Sequence, residues 1–385
     1  MDRRSASVAA AGFGTFVNLY APQAVLPTLA DAFGASIARA GLTITASLIA
    51  VALVAPFVGG ISDAFGRRKL IVAAILALVI PTALAALAPT LDLLILCRFV
   101  QGLLLPFIFA VTVAYIADEV PGPEGVRATG TYAIGTIIGG FSGRFIAGWT
   151  AEFLGWRASF LVLAGITLLV ALLVTALLPT EQRFRPVSGW RGTLAGFAGQ
   201  FRNGQVLATC AVGFAVLFSV VAAFTYANLL LAAPPYGLGP AQLGTIFLVY
   251  LLGAVGTPVA SRMIMRIGRR ATVLVSGAMT VAGLLLTLAA PLPLIIAGLA
   301  LIAIGIFNEQ TVSIGYVAVA GERARSTAVG LYVTCYYIGG SLGGIAPAWI
   351  WSHAGWPGCV ALVLVVQAAA ISIAWLVWPR TVALR

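Results

Sequence analysis

Residues Tyr132–Trp156 read YAIGTIIGGFSGRFIAGWTAEFLGW and give the clearest indication of how the chain is organised. It occurs again 200 residues later as Tyr332–Trp356, YVTCYYIGGSLGGIAPAWIWSHAGW, with the same leading tyrosine, glycines and tryptophans. A shorter repeat, Gly66–Arg68 and Gly268–Arg270, has nearly the same offset. Small residues at such spacings let helices pack closely in a membrane. The repeats therefore predict two related halves, in which the matched glycines pack helices together.

The composition indicates that lipid is the main solvent of the chain. Of its 385 residues, 61% are hydrophobic and only 9% are charged, and the mean hydropathy is +1.07. Soluble domains carry about 25% charged residues. The four cysteines lie singly in apolar runs, without metal-ligand spacing, and are expected to be buried thiols. The net charge of +11 comes from short basic clusters between apolar runs, so we expect no nucleic-acid partner.

Twelve apolar segments are long enough to cross the hydrocarbon core, which takes about 20 helical residues. The first six are predicted at residues 7–30, 38–60, 70–89, 92–117, 127–150 and 158–178. The second six are predicted at residues 206–231, 241–262, 271–290, 292–317, 325–348 and 357–378. The pattern predicts an all-α membrane protein of two pseudo-symmetric six-helix bundles.

The basic residues orient these spans. With the N-terminus inside, 18 of the 22 basic residues lie on the inner side. Two of the others, Arg39 and Arg157, lie outside, and Arg98 and Arg144 fall within spans. Cytoplasmic connections are rich in Lys and Arg, so both termini are predicted to be cytoplasmic.

The longest hydrophilic connection, residues 179–205, divides the chain into an N-terminal bundle, 1–178, and a C-terminal bundle, 206–385. We interpret this connection as a cytoplasmic linker. Parallel six-helix repeats are a transporter architecture, in which the substrate site lies between the halves near the middle of the membrane.

The connection after the second span carries a recognisable motif. Residues 59–68, GGISDAFGRR, resemble the signature G-x-L-a-D-r-x-G-r-k of the major facilitator superfamily, although Ala64 replaces a basic residue. The resemblance extends over essentially the whole chain. An aspartate at a helix end among arginines can form charge-assisted bonds, which could hold one conformation and break in another. The alternative is a solvated loop whose charges only orient the protein. The predicted latch residues are Gly59, Asp63, Gly66, Arg67 and Arg68; Met265 replaces the aspartate in the second half.

The fourth span contains an arginine within the membrane. Residues 94–102, LILCRFVQG, resemble the L-x-x-x-R-x-x-Q-G element associated with proton-coupled members of that superfamily. An intramembrane arginine is a functional hypothesis by default because it is costly in hydrocarbon. Arg98 is therefore predicted to take part in proton coupling. The alternative is that it extends to the external interface.

The fifth span adds Arg144, where the second half has Gly344. Drug-efflux members of the superfamily usually have a glycine–proline pair in this stretch, and the proline is absent here. Arg98 and Arg144 are predicted at similar depths in the membrane, where together they could neutralise an anionic group or repel cations. Extension of Arg144 to the external interface is the alternative.

Glu309 is the only carboxylate clearly deep in a span, within the polar run Asn308–Thr311. Because desolvation disfavours the charged form of a carboxylate, Glu309 is a candidate proton carrier. A structural hydrogen-bonding role is the alternative. Many drug–proton antiporters of the superfamily have an acid in the first helix, whereas this chain has none before Asp31. Polar residues predicted to line a substrate cavity are Asn18, Tyr20, Gln23, Gln101, Arg144, Tyr226, Asn228, Asn308, Gln310 and Tyr336.

These features favour a secondary transporter. The sequence has no paired acids, metal cluster, phosphate loop or soluble domain, so an enzyme is not expected, and neither is a cofactor. A channel would require rings of like groups from a symmetric assembly.

We predict proton-coupled efflux of drug-like or amphiphilic compounds by alternating access, by a monomer in the bacterial inner membrane. The expected partners are a small-molecule substrate, protons and the lipid bilayer. The alternative is transport of a polar or anionic metabolite, such as a sugar, organic acid or amino acid, with Arg98 and Arg144 as counter-charges.

Overall fold

Long helices make up most of the chain that the structure describes. A computed structural model describes residues 3–120, 122–182, 199–322 and 325–379. Within these ranges it contains twelve α-helices, one 3-10 helix (Ala21–Val25) and no β-strand. The α-helices are α1 (Arg3–Leu19), α2 (Leu26–Ala32), α3 (Ile37–Phe65), α4 (Arg67–Ala86), α5 (Leu91–Glu119), α6 (Gly122–Leu154), α7 (Trp156–Leu177), α8 (Gly204–Ala232), α9 (Pro240–Ile246), α10 (Val249–Leu286), α11 (Leu292–Ala320) and α12 (Arg325–Val377).

Two of these helices each include parts of two predicted spans, joined at a bent glycine. Gly268 in α10 has a φ of 79° and Gly355 in α12 has a φ of 57°, which glycine adopts readily because it has no Cβ. The bend in α12 separates the predicted spans 325–348 and 357–378. Eight of the described helices hold a segment long and apolar enough to cross a membrane, and both bent helices are among them.

The predicted first span, 7–30, is not one continuous helix. It consists of α1, the 3-10 helix Ala21–Val25 and α2. Pro22 lacks a backbone N–H and cannot bond the carbonyl four residues before it. The N–H of Gln23 instead bonds the carbonyl of Tyr20 at 3.0 Å, in the 3-10 pattern. The apolar pattern predicted the span, whereas the break follows from a proline within it.

The chain divides into two compact units. Of the described residues, the first contains those up to 182 together with Leu238–Phe247, which carries α9. The second contains the described residues of 199–237 and those from Leu248 onward. Most of the predicted linker, residues 183–198, lies outside the described residues.

The repeated glycines occupy equivalent packing positions within each unit. In the first unit, Gly143 of α6 faces the backbone of Val17 in α1, so closely that a methyl group would collide with it. In the second unit, Gly343 of α12 faces the backbone of Phe218 in α8 in the same way. The close helix contacts implied by the repeat are therefore present in both units.

We expect Gly143→Ala to destabilise the protein by about 1–3 kcal/mol, the usual cost of overpacking a tight contact. Gly165→Ala in α7 is the matched control, because a methyl group there would meet nothing within 4 Å. The melting temperatures of the two purified variants in detergent test the prediction. Equal melting temperatures would contradict it.

Candidate functional site

Arg98 of α5 is buried, with 1% of its surface exposed, and its guanidinium is surrounded by acceptors. Its Nε donates to the carbonyl of Thr43 at 3.0 Å. One terminal nitrogen donates to the carbonyl of Asn18 at 3.0 Å and to Oε1 of Gln101. The other donates to the carbonyl of Leu19 at 2.5 Å. The protein itself thus supplies acceptors to all three guanidinium nitrogens.

Two of these acceptors, the carbonyls of Asn18 and Leu19, are available to Arg98 because the break in the first span removes their helical hydrogen bonds. Pro22 offers no N–H to the carbonyl of Asn18, and the N–H of Gln23 bonds Tyr20 rather than Leu19. A backbone group without a partner in the hydrocarbon region costs several kcal/mol. Arg98 therefore caps the carbonyl end of α1 where the helix is interrupted.

The guanidinium of Arg144 in α6 lies between two aromatic rings. Its central carbon is 4.6 Å from the ring centroids of both Tyr20 and Phe247. Its Nε donates to Oε1 of Gln23 at 2.7 Å, and a terminal nitrogen donates to the carbonyl of Gly140 at 2.6 Å. All of these groups belong to the first unit. Arg144 is 1% exposed, so its charge is held inside the unit by cation–π and hydrogen-bonding contacts.

The remaining predicted cavity residues of the first unit extend this network. The side chain of Asn18 donates to Oγ1 of Thr167 at 2.8 Å, and Gln101 donates to Oγ1 of Thr82 at 3.0 Å. The structure therefore brings together six predicted residues around the break after α1, which are Asn18, Tyr20, Gln23, Arg98, Gln101 and Arg144. The participation of Arg98 in proton coupling, and the contact of the other five residues with a substrate, stay predictions.

The predicted latch residues meet where α3 joins α4. Arg67 forms ion pairs with Asp63 and with Asp118 at the end of α5, both at 2.8 Å. Glu181 accepts from the backbone N–H groups of Arg67 and Arg68 at 2.7 and 3.4 Å. This places a carboxylate on the positive N-terminal end of α4.

Two other predicted latch residues, Gly66 and Arg68, lie at the same junction of α3 and α4. Gly66 links α3 to α4 with a φ of 95°, which requires glycine. Arg68 donates to the carbonyls of Leu178 and Thr175 at 2.8 and 3.0 Å, near the end of α7. Gly59 lies in open space, where a methyl group would meet nothing within 4 Å. The cluster thus ties the ends of α3, α4, α5 and α7 together.

Glu309 of α11 is fully buried in the second unit. In the orientation of the Gln367 amide that satisfies an ionised Glu309, the amide nitrogen lies 3.2 and 3.1 Å from the two carboxyl oxygens. A methyl group on Gly277 of α10 would lie 3.3 Å from Oε1. Among the described residues no cation forms an ion pair with Glu309. Its immediate polar neighbour is an amide.

The other predicted cavity residues of the second unit are distributed over α8, α11 and α12. Tyr226 is buried and donates to the carbonyl of Gly344 at 3.0 Å. Asn228 and Asn308 are also buried. Gln310 and Tyr336 are half-buried, and Tyr336 stacks on Tyr332 with ring centroids 6.0 Å apart. Their contact with a substrate stays a prediction.

Four further residues belong to these clusters and were not singled out from the sequence. Asp118 and Glu181 are acids close to basic clusters on the predicted inner side, a signal that charge patterning could have supplied. Gln367 is an isolated polar residue in the apolar run LVLVVQAAAIS, which is unusual in a span. Phe247 carried no signal, because only the folded chain brings it to Arg144.

The comparisons with known proteins agree on one family. The profile described as Major Facilitator Superfamily matches residues 8–239 and 216–385. The inner membrane transport protein YnfM of Escherichia coli is 32% identical over 360 residues, which are 92% of this chain and 86% of YnfM. The multi-drug resistance efflux pump PmrA of Streptococcus pneumoniae is 34% identical over 149 residues, 39% of this chain and 37% of PmrA.

A solved structure supports the fold independently. The bacterial homologue of the human lysosomal transporter Spinster superposes with a TM-score of 0.77 at 15% identity, covering 97% of this chain and 95% of that one. At this identity the likeness concerns the fold alone. It agrees with the predicted arrangement of twelve membrane helices in two bundles.

We expect Arg98→Met to destabilise the protein by at least about 3 kcal/mol, because several buried acceptors lose a charged donor. Pro22→Ala restores an N–H for the carbonyl of Asn18, so it should reduce the cost of Arg98→Met by about 1 kcal/mol. Thermal unfolding of the two single variants and the double variant measures this coupling. Strictly additive costs would refute the capping role.

Glu181→Ala should cost about 1 kcal/mol of stability, because the N-terminal N–H groups of α4 lose their carboxylate. Asp31→Asn is the matched control, because Asp31 lies near the C-terminal end of α2, is exposed, and forms no ion pair through its carboxylate with the described residues. A melting temperature of Glu181→Ala as high as that of the control would show that the contact is not stabilising.

Proposed function

The chain belongs to the major facilitator superfamily, and we propose that it exports drug-like or amphiphilic compounds by proton-coupled alternating access. Because this family consists of membrane transporters, the predictions of an all-α multi-pass transporter and of a protein that is not an enzyme are confirmed. The direction of transport, the coupling ion and the cargo are the proposal.

One observation carries the coupling hypothesis, namely the environment of Glu309. The carboxyl group is fully buried, and its described partner is the neutral amide of Gln367. Binding of a proton therefore removes a charge from the interior of the second unit without leaving an unpaired cation beside it. A group whose charge changes in a desolvated site gives the protein two states of different energy, as coupling to a proton gradient requires.

The two intramembrane arginines support a cargo that needs no counter-charge. The nitrogens of Arg98 donate to backbone carbonyls and Gln101, and Arg144 is held by two rings, Gln23 and Gly140. An anionic substrate would have to displace these internal contacts. We therefore place polar or anionic metabolites second to amphiphilic compounds.

The relatives support the direction and the location. PmrA is named as a multi-drug resistance efflux pump, although its similarity covers only part of each chain. YnfM is named as an inner membrane protein. We propose the inner membrane for this chain too, with both termini cytoplasmic, since that orientation places most of the basic residues on the cytoplasmic side.

Inverted membrane vesicles test proton-coupled export. A proton gradient is established and followed with a pH-sensitive dye, and ethidium, lactate or lactose is then added. Export by proton exchange predicts that ethidium collapses the gradient in vesicles containing the protein and not in empty ones. Collapse by lactate or lactose alone would favour the alternative cargo.

Glu309→Gln should reduce the ethidium-dependent proton flux by at least about tenfold, because the side chain can no longer exchange a proton. Ser352→Ala, in the exposed segment beside His353, is the control and should transport as the wild type does. Normal flux with unchanged pH dependence in Glu309→Gln would remove the proton role of this residue.

A further inference from the structure

Gln367 lies between an acid and a hydroxyl group contributed by two other helices. Its amide contacts the carboxyl of Glu309 in α11 on one side and the hydroxyl of Ser219 in α8 on the other. All three side chains are fully buried. The amide is thus the link between the only buried acid described in the second unit and α8.

The two ends of the Gln367 amide occupy one set of positions, and which end carries the nitrogen depends on whether Glu309 presents an acceptor or a donor. In one, Nε2 donates to Oγ of Ser219 at 3.0 Å, and the amide oxygen faces the carboxyl group of Glu309. In the other, the nitrogen lies 3.2 and 3.1 Å from the carboxyl oxygens, and the amide oxygen accepts from Ser219 at 3.0 Å. A hydroxyl group can serve as donor or acceptor, so Ser219 is compatible with both.

The protonation state of Glu309 selects between the two orientations. An ionised carboxylate only accepts hydrogen bonds, so the amide nitrogen must face it. A protonated carboxyl has an O–H to donate, and the amide oxygen must then face it while the nitrogen donates to Ser219. Each state has one orientation in which every group is satisfied, and the wrong orientation leaves buried polar groups unpaired.

We propose that Gln367 is a positioning residue for the transported proton, and that its amide turns over each time Glu309 gains or loses that proton. The turn transmits the protonation state to Ser219 and so to α8. This inference rests on the proposed role of Glu309 in coupling and names the residue that responds to it.

Among the side chains packed around Glu309, Gln367 is the one whose hydrogen bonds can respond to the protonation state of the carboxyl group. The helices packed against α11 are α8, α10 and α12, and α8 contains no charged residue. From α10, Gly277 faces the carboxyl. The charged and titratable side chains of the described parts of α8, α10 and α12 form no ion pair or hydrogen bond with Glu309. The charged ones and the histidine are Arg262, Arg266, Arg269, Arg270, Arg325 and His353, and the tyrosines and cysteines are Cys210, Tyr226, Tyr250, Tyr332, Cys335, Tyr336, Tyr337 and Cys359.

Infrared difference spectroscopy between high and low pH, on the purified full-length chain in lipid bilayers, tests the proposal. The wild type should show a carboxylic C=O band at low pH together with a change in a side-chain amide band. The chain has ten other acidic side chains, whose bands are the same in both proteins and cancel when the two spectra are subtracted. Glu309→Gln should remove the amide change and the part of the carboxylic band that belongs to Glu309. Gln367→Met should keep the carboxylic band but shift it to higher wavenumber, because the acid loses its acceptor, and should abolish the amide change.

Two further variants keep the test decisive. Ser219→Ala removes only a hydroxyl group and should alter the amide change while retaining the carboxylic band. Gln205→Met is the matched control, because Gln205 bonds Tyr316 and lies about 21 Å from Ser219 along α8. It should give the wild-type spectrum.

The outcomes separate the two proposals. A carboxylic band at its wild-type position in Gln367→Met, or an unchanged amide signal in Ser219→Ala, would overturn the role of Gln367 and leave the proton role of Glu309 standing. A carboxylic band that Glu309→Gln leaves unchanged would overturn both. If the inference holds, Gln367→Met should also slow the ethidium-dependent proton flux about tenfold, the effect of losing one charge-assisted hydrogen bond, whereas Gln205→Met should not.

Discussion

The fold of the first unit depends on how a membrane protein satisfies the backbone of a broken helix. Hydrocarbon offers no hydrogen bonds, so every carbonyl that a break releases needs a partner within the protein. Pro22 interrupts the first span, and Arg98 supplies donors to the carbonyls of Asn18 and Leu19. The break in the helix therefore supplies acceptors to the buried arginine, and the arginine supplies donors to the carbonyls that the break releases.

Arg144 is a second buried cation whose partners lie in the protein, and one of them, Gln23, follows closely after the residues that Arg98 binds. The acceptors of Arg144 are Gln23 and the carbonyl of Gly140, and the rings of Tyr20 and Phe247 both lie 4.6 Å from its guanidinium carbon. Arginine suits such a site because its planar group can stack and donate at the same time. The second half has Gly344 at the equivalent position, so the two halves share packing and differ in charge.

The charges of the second unit are arranged differently. Its deep charge is a carboxyl group whose described neighbours are an amide and a glycine. A cation with many acceptors is fixed in one state, whereas an acid beside an amide can exist in two. This contrast is the physical basis for proposing Glu309 as the site of proton exchange.

Much of the protein followed from its sequence alone. Hydropathy and the 200-residue repeat determined a two-half membrane protein, because both depend only on residue type and spacing, and the motif at residues 59–68 indicated the family. The repeat also predicted the close glycine contacts of Gly143 and Gly343. The sequence further singled out Arg98, Arg144 and Glu309, because a charge within an apolar run is conspicuous.

The tertiary structure decided what surrounds those charges. Arg98 binds carbonyls 79 and 80 residues away, and Phe247, the residue after α9, contacts Arg144. No local sequence pattern contains these contacts. Gln367 and Ser219 likewise belong to helices far apart in sequence. Spacing shows which residues are unusual for a membrane span, but only the packed helices show which groups satisfy them, because hydrogen-bond partners are set by distance in space.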